Sequence, residues 1–167
     1  LPAGVSSIVS GNTVTISGTP TTTTGSPFNY TITTSGGSCG TTSLSGTITV
    51  NPAVSLALTS ATSTTNQIVC ANTAIFTITY TFGNGATGVT VTGLPTGVNF
   101  TTSGNNVTIA GIPSTTTGSP FSYSISTIGG SCGTATLSGT ITVNSNPTLV
   151  LNSASSTRNP EKKSTSF

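Results

Sequence analysis

The sequence predicts an all-β protein built from tandem β-sandwich domains, and three observations lead there. Apolar residues make up 32% of the chain and recur as alternating Val, Ile, Leu and aromatic positions among Thr and Ser. Such β-branched side chains suit a half-buried pleated surface. The 20 Gly and 9 Pro punctuate these runs at short intervals, as turns require. The chain also repeats itself: LPAGV at 1–5 returns as LPTGV at 94–98, and GNTVTISG at 11–18 as GNNVTIAG at 104–111. TGSPFNYTIT at 24–33 returns as TGSPFSYSIS at 117–126, and GGSCGTTSLSGTITVN at 36–51 as GGSCGTATLSGTITVN at 129–144. The offset is 93 residues throughout (Leu1 to Leu94). A gapless period of this length denotes copies of a whole domain, not a short-period solenoid.

Each GTITV run closes on an Asn followed by a Pro linker, at Asn51-Pro52 and again at Asn144 to Pro147. Three units follow from these boundaries. Residues 1–51 are the C-terminal half of a repeat and 52–144 a complete one. Residues 145–167 are the first strand of a following repeat plus a tail that diverges after Asn159. In the complete copy, period-2 alternation bounded by turn residues predicts seven strands: 54–60, 74–82, 88–93, 97–102, 105–111, 121–127 and 135–143. Within the second of these, Phe76, Ile78, Tyr80 and Phe82 alternate with Ile75, Thr77, Thr79 and Thr81, which marks the first set as the core face. Seven short strands in one repeat describe an immunoglobulin-like β-sandwich.

The run TVTGLPTGVNF, the GNNVTIAGIP element and the GGSCGTATLSGTITV ending resemble the Ig-like repeats of very large secreted surface proteins of Bacteroidota. The resemblance extends to about Asn159 and rests on turns and strands. It implies an extracellular location and a role as adhesin or surface fibre, and it carries over no catalytic residue.

Charge is nearly absent. The formal net charge is +2, from three Lys/Arg and one acid, and all four charged residues fall at Arg158, Glu161, Lys162 and Lys163. Residues 1–157 carry none, and the chain has no His, Met or Trp. General acid–base chemistry needs groups that titrate near neutral pH, so no enzyme is expected. Clustered carboxylate, imidazole or thiolate ligands for a metal are missing, so neither metal nor cofactor is expected. The basic surface that draws nucleic acid and the long apolar run of a membrane span are missing too. The remaining partners are a second copy of the chain and covalently attached glycans.

The candidate sites are accordingly structural. Cys70 and Cys132 belong to one repeat, and a bridge between them would staple a sandwich poor in large apolar residues. Free thiols, or a bridge between neighbouring domains, are the alternatives; Cys39, the counterpart of Cys132, has no partner in its own half-repeat. The Thr-rich loops at Thr21, Thr22, Thr23 and Thr24 and at Thr115, Thr116 and Thr117 have the composition of O-glycosylated tracts. Asn29, Asn99 and Asn106 head Asn-x-Thr triplets, which a chain this rich in Ser and Thr also produces by chance. PTLVLN at 147–152 matches the first strand of the complete copy at Leu149 and Leu151. That match raises the expectation of head-to-tail strand addition between copies of the chain, an open assembly.

The expected function is a structural subunit of an extracellular filament or surface fibre, glycosylated on Ser/Thr. The alternative is a stalk segment of a long repeat adhesin. Thr-x-Thr steps such as Thr77-Ile-Thr79 and Thr140-Ile-Thr142 raise ice binding as a lesser reading, weakened by the twist of such sheets. Direct glycan binding by the loops lacks a recognisable aromatic pocket.

Overall fold

A computed structural model describes residues 1–152; the charged residues at 158–163 lie outside them. The chain is all-β. It opens with two antiparallel hairpins, β1 (Val5–Ser10) with β2 (Thr13–Gly18) and β3 (Phe28–Thr33) with β4 (Ser43–Ile48). Eight strands follow: β5 (Ser55–Leu58), β6 (Asn66–Cys70), β7 (Ile78–Gly83), β8 (Gly88–Thr92), β9 (Val98–Ser103), β10 (Asn106–Gly111), β11 (Phe121–Ile128) and β12 (Thr136–Asn144). They form two four-stranded sheets, in the orders β5-β7-β10-β9 and β6-β12-β11-β8. The first is antiparallel throughout, while the second carries one parallel pair, β6 with β12.

The two sheets pack as a sandwich because alternate residues of each face inward. Ile78, Tyr80 and Phe82 of β7 and Val107 and Ile109 of β10 meet Tyr123 and Ile125 of β11 and Ile141 and Val143 of β12 in one buried cluster. Their neighbours on the strands, Thr79 and Thr81 among them, face outward. Fully burying a side chain of this size contributes roughly 1.5–3 kcal/mol, so this stripe accounts for most of the cohesion.

Hairpins β1–β4 are the 93-residue counterparts of β9–β12, and their pairing registers agree. Tyr30 faces Gly46 as Tyr123 faces Gly139. Glycine is required at those positions because a Cβ on Gly139 would run into the Tyr123 hydroxyl and the Thr65 carbonyl. The Tyr ring thus lies over the strand beside it. At the β1–β2 turn, Gly11 has a φ of +58°, matched by +56° at Gly104 in the β9–β10 turn. Both lie in the left-handed region that glycine enters without a steric penalty.

Two sequence expectations are corrected. The sandwich has an eighth strand, β6, in a stretch outside the seven predicted ones. Phe76 is also not a core residue: it is 74% exposed, and Ile75 is buried in its place. The strand predicted from residue 74 begins only at Ile78, so the alternation does not extend back to Phe76. The segment before β7 is held by a side chain instead. Buried Gln67 of β6 donates from Nε2 to the carbonyls of Phe76 and Thr64, both at 2.7 Å, and its Oε1 accepts from the Phe76 N–H at 2.7 Å.

Candidate functional site

Among the described residues no group of three or more His, Cys, Asp or Glu stands together, and no helix is long and apolar enough to cross a membrane. The polar centre of the core is a pair of phenols contributed by the two sheets, the Tyr80 and Tyr123 hydroxyls, 2.9 Å apart. Both rings are 1% exposed. Burial raises the pKa of each above the ordinary tyrosine value, and at Tyr123 the hydrogen bond to Tyr80 raises it further. Neutral phenols this deep hold the sheets in register.

The informative sites lie at the two ends of the sandwich. The chain enters at one end through Asn51-Pro52, where these residues line a cleft with Asn84, Gly85, Gly130 and Ser131. The β11–β12 loop crowds this entry: a Cβ on Gly130 would run into the Val54 side chain. Cys132, in the same loop, donates from Sγ to the Asn51 carbonyl at 3.4 Å. The chain leaves at the opposite end, along β12 to Asn144. There Cys70, the last residue of β6, is the register partner of Asn144, and the Ala71 N–H donates to the Asn144 carbonyl at 2.8 Å.

This geometry corrects the expected Cys70–Cys132 bridge. Both cysteines are free and exposed. Cys132 lies in the loop preceding β12 and Cys70 beside the last residue of β12, so the nine residues of that strand separate them. That is roughly 30 Å at the rise of a β-strand, against a maximum of about 7 Å between the Cα atoms of a disulfide. The sequence marks Asn51 and Asn144 as repeat boundaries through their identical GTITVN endings, and the structure adds the contacts that Cys132 and Cys70 make beside them.

The Thr loops separate into two kinds of hydroxyl. Thr22 and Thr115 are half-buried, and each accepts a hydrogen bond from the backbone N–H two residues on, Thr24 and Thr117, at 3.1 Å. Thr21, Thr23, Thr24, Thr116 and Thr117 are exposed. Asn29, Asn99 and Asn106 are exposed on strands β3, β9 and β10, and Asn29 Oδ1 accepts from the Thr47 hydroxyl at 2.8 Å.

Leu149 and Leu151 are 99% and 88% exposed, in a segment without strand structure. Their counterparts in the complete copy lie on β5, which among the described residues pairs only with β7. Residues 1–51 contain counterparts of β9–β12 and none of β7, so a donated 147–152 segment has no strand there to pair with in the β5 register. A further shallow cleft of about 410 Å³ is lined by Ala61, Thr64, Gln67, Ile68 and Phe76 among others, and it leaves the Ile68 and Phe76 side chains in solvent.

No family model matches the chain, and neither does any curated protein. Among solved structures, an endo-fucoidan hydrolase of glycoside hydrolase family 107 is similar to it at 19% identity and a TM-score of 0.40. That alignment covers 87% of this chain and 23% of the hydrolase.

Proposed function

We propose that the chain is a structural segment of an extracellular filament or surface fibre, made of tandem immunoglobulin-like domains stacked end to end. One observation carries the reading. The polypeptide enters the sandwich at the end that holds Asn51 and leaves at the opposite end by Asn144, and these two asparagines occupy the same place in a gapless 93-residue repeat. Successive copies built this way line up along one axis. A domain repeated in line is suited to spanning distance and bearing load, and this reading gives the chain no catalytic step and no cofactor.

The surface supports an extracellular setting. A nearly charge-free exterior is poorly soluble by itself, and O-linked glycans on the exposed threonines Thr21, Thr23, Thr24, Thr116 and Thr117 would hydrate it. Burial of domain ends in a stack reduces the same liability.

Electron microscopy of native material, with intact-mass measurement of the same sample, tests the proposal. Thin filaments with an axial period on the order of 40 Å, one strand length plus its end loops, and a mass above that of the polypeptide are the expected result. Isolated compact particles of polypeptide mass would overturn it. Beads joined by a flexible string would replace the fibre with the stalk of a long adhesin.

A further inference from the structure

We infer that the two cysteine positions of the repeat form a disulfide across each domain junction, between Cys70 of one domain and the counterpart of Cys132 in the next. The inference rests on the tandem stacking proposed above and adds a covalent lock to it. Cys132 donates its Sγ hydrogen to the carbonyl of Asn51, which follows β4 and is the preceding copy's counterpart of the residue that ends β12. Cys70 is the register partner of Asn144, the last strand residue of its own copy. Asn144 is Asn51 advanced by one repeat, since 51 + 93 = 144.

Both cysteine positions therefore converge on the same residue, one from each side of the junction. Register partners on adjacent strands lie about 4.8 Å apart, which places the Cys70 backbone within disulfide span of the junction that the next copy's thiol already touches. The Asn144 carbonyl accepts the Ala71 N–H and keeps a second lone pair for that incoming thiol. Both positions are exposed, so a reagent can reach them. The pairing also explains why one repeat holds two cysteines at opposite ends: each completes a different junction.

The chemistry is thiol–disulfide exchange with a disulfide donor, a small molecule or an oxidoreductase. One cysteine thiolate attacks a donor sulfur, forming a mixed disulfide and releasing one donor thiolate. The second cysteine attacks the protein sulfur of that mixed bond, closing the bridge and releasing the other donor thiolate. Two protein thiols lose two protons and two electrons, and the donor disulfide is reduced to two thiols.

The test compares the full chain with a version in which residues 52–144 are duplicated in register after Asn144. Both are incubated in a glutathione buffer whose excess of reduced form reverses mixed disulfides on single thiols, at a protein concentration low enough to keep them monomeric. Thiols are then counted and the bridges mapped by non-reducing peptide analysis. The unmodified chain is expected to keep all 3 of its thiols. The duplicated chain has 3 + 2 = 5 cysteines and is expected to keep three, with one bridge from Cys70 of the first copy to the Cys132 counterpart of the second. Cys70→Ser in the first copy, or the equivalent change at the Cys132 counterpart of the second, is expected to abolish that bridge. Cys132→Ser in the first copy is expected to leave it intact.

A bridge within one copy, or five free thiols in the duplicated chain, overturns the inference. Small-angle scattering of the duplicated chain separates this failure from that of the stacking. An elongated particle without the bridge refutes the disulfide alone, whereas a folded-back particle refutes the end-to-end arrangement.

Discussion

The phenol pair at the centre of the core provides a measurement with a defined sign. Tyr80 and Tyr123 are 1% exposed, and their hydroxyls bond each other at 2.9 Å. Tyr123→Phe removes one partner and leaves the Tyr80 hydroxyl buried with nothing to pair, and Tyr80→Phe does the reverse. Orphaning a buried hydroxyl costs about 1–3 kcal/mol, so each single variant should lose that much. The double variant leaves two apolar rings and no orphan, and its loss should stay within about 1 kcal/mol. Urea denaturation of the four proteins closes a double-mutant cycle, and the sum of the single losses less the double loss gives an expected coupling of about 1–6 kcal/mol. A double variant as destabilised as the sum of the singles would refute the mutual hydrogen bond. Titration gives an independent check. Burial raises both folded pKa values above the unfolded tyrosine value near 10. Above pH ~10 the unfolded chain therefore releases protons that the folded chain retains, and stability falls as pH rises. The contribution is fully present below that value, and the double Phe variant should lose the alkaline slope.

Two further substitutions probe the local devices of the fold. Gly139→Ala drives a Cβ into the Thr65 carbonyl and the Tyr123 ring, and overpacking of this kind costs about 1–3 kcal/mol. The matched change Gly46→Ala meets only the half-exposed Tyr30 and should cost less; equal shifts in denaturation midpoint would contradict that account. Gln67→Ala frees the Phe76 N–H and the Phe76 and Thr64 carbonyls at once. It should cost about 2 kcal/mol, since water reaches part of what is freed, and a neutral result in thermal unfolding would show that the amide is not what anchors the β7 approach.

The strands were legible wherever apolar alternation matched burial. All seven predicted strands of the complete copy are present, with edges shifted by one residue in most cases. The strand from residue 74 starts four residues late and the first strand is trimmed at both ends. The missed strand, β6, inverts the usual pattern: Gln67 and Val69 face inward, and Ile68 is left in solvent. No periodicity rule assigns a Gln to the core, and its place there follows from three hydrogen bonds that only the tertiary fold supplies. The Phe76 error has the same origin, because the backbone between Ile75 and Ile78 leaves the ladder to meet Gln67. The sequence also showed two cysteines per repeat. A seven-strand count allows them to lie at opposite ends of the sandwich, but the parallel pairing of β6 with β12 that sets Cys70 beside Asn144 is a long-range contact that spacing does not encode.

Because the chain contains one stretch of sequence twice, the energetic role of β5–β8 can be separated from strand propensity. Tyr123, Ile125, Val107 and Ile109 are buried beneath the opposing strands, while their counterparts Tyr30, Ile32, Val14 and Ile16 are only half-buried in hairpins that carry the same registers. Composition, turns and local pairing are nearly matched, so a difference in local stability between the two copies measures what β5–β8 contribute. Amides of a closed core exchange only on global unfolding, whereas those of hairpins that lack counterparts of β5–β8 exchange through local opening. Hydrogen exchange of the intact chain should therefore protect the amides of β10, β11 and β12 by several orders of magnitude more than those of β2, β3 and β4. Equal protection in the two copies would mean that hairpin propensity alone sustains the fold. The sandwich of β5–β12 could then no longer be regarded as the cooperative unit of the fold.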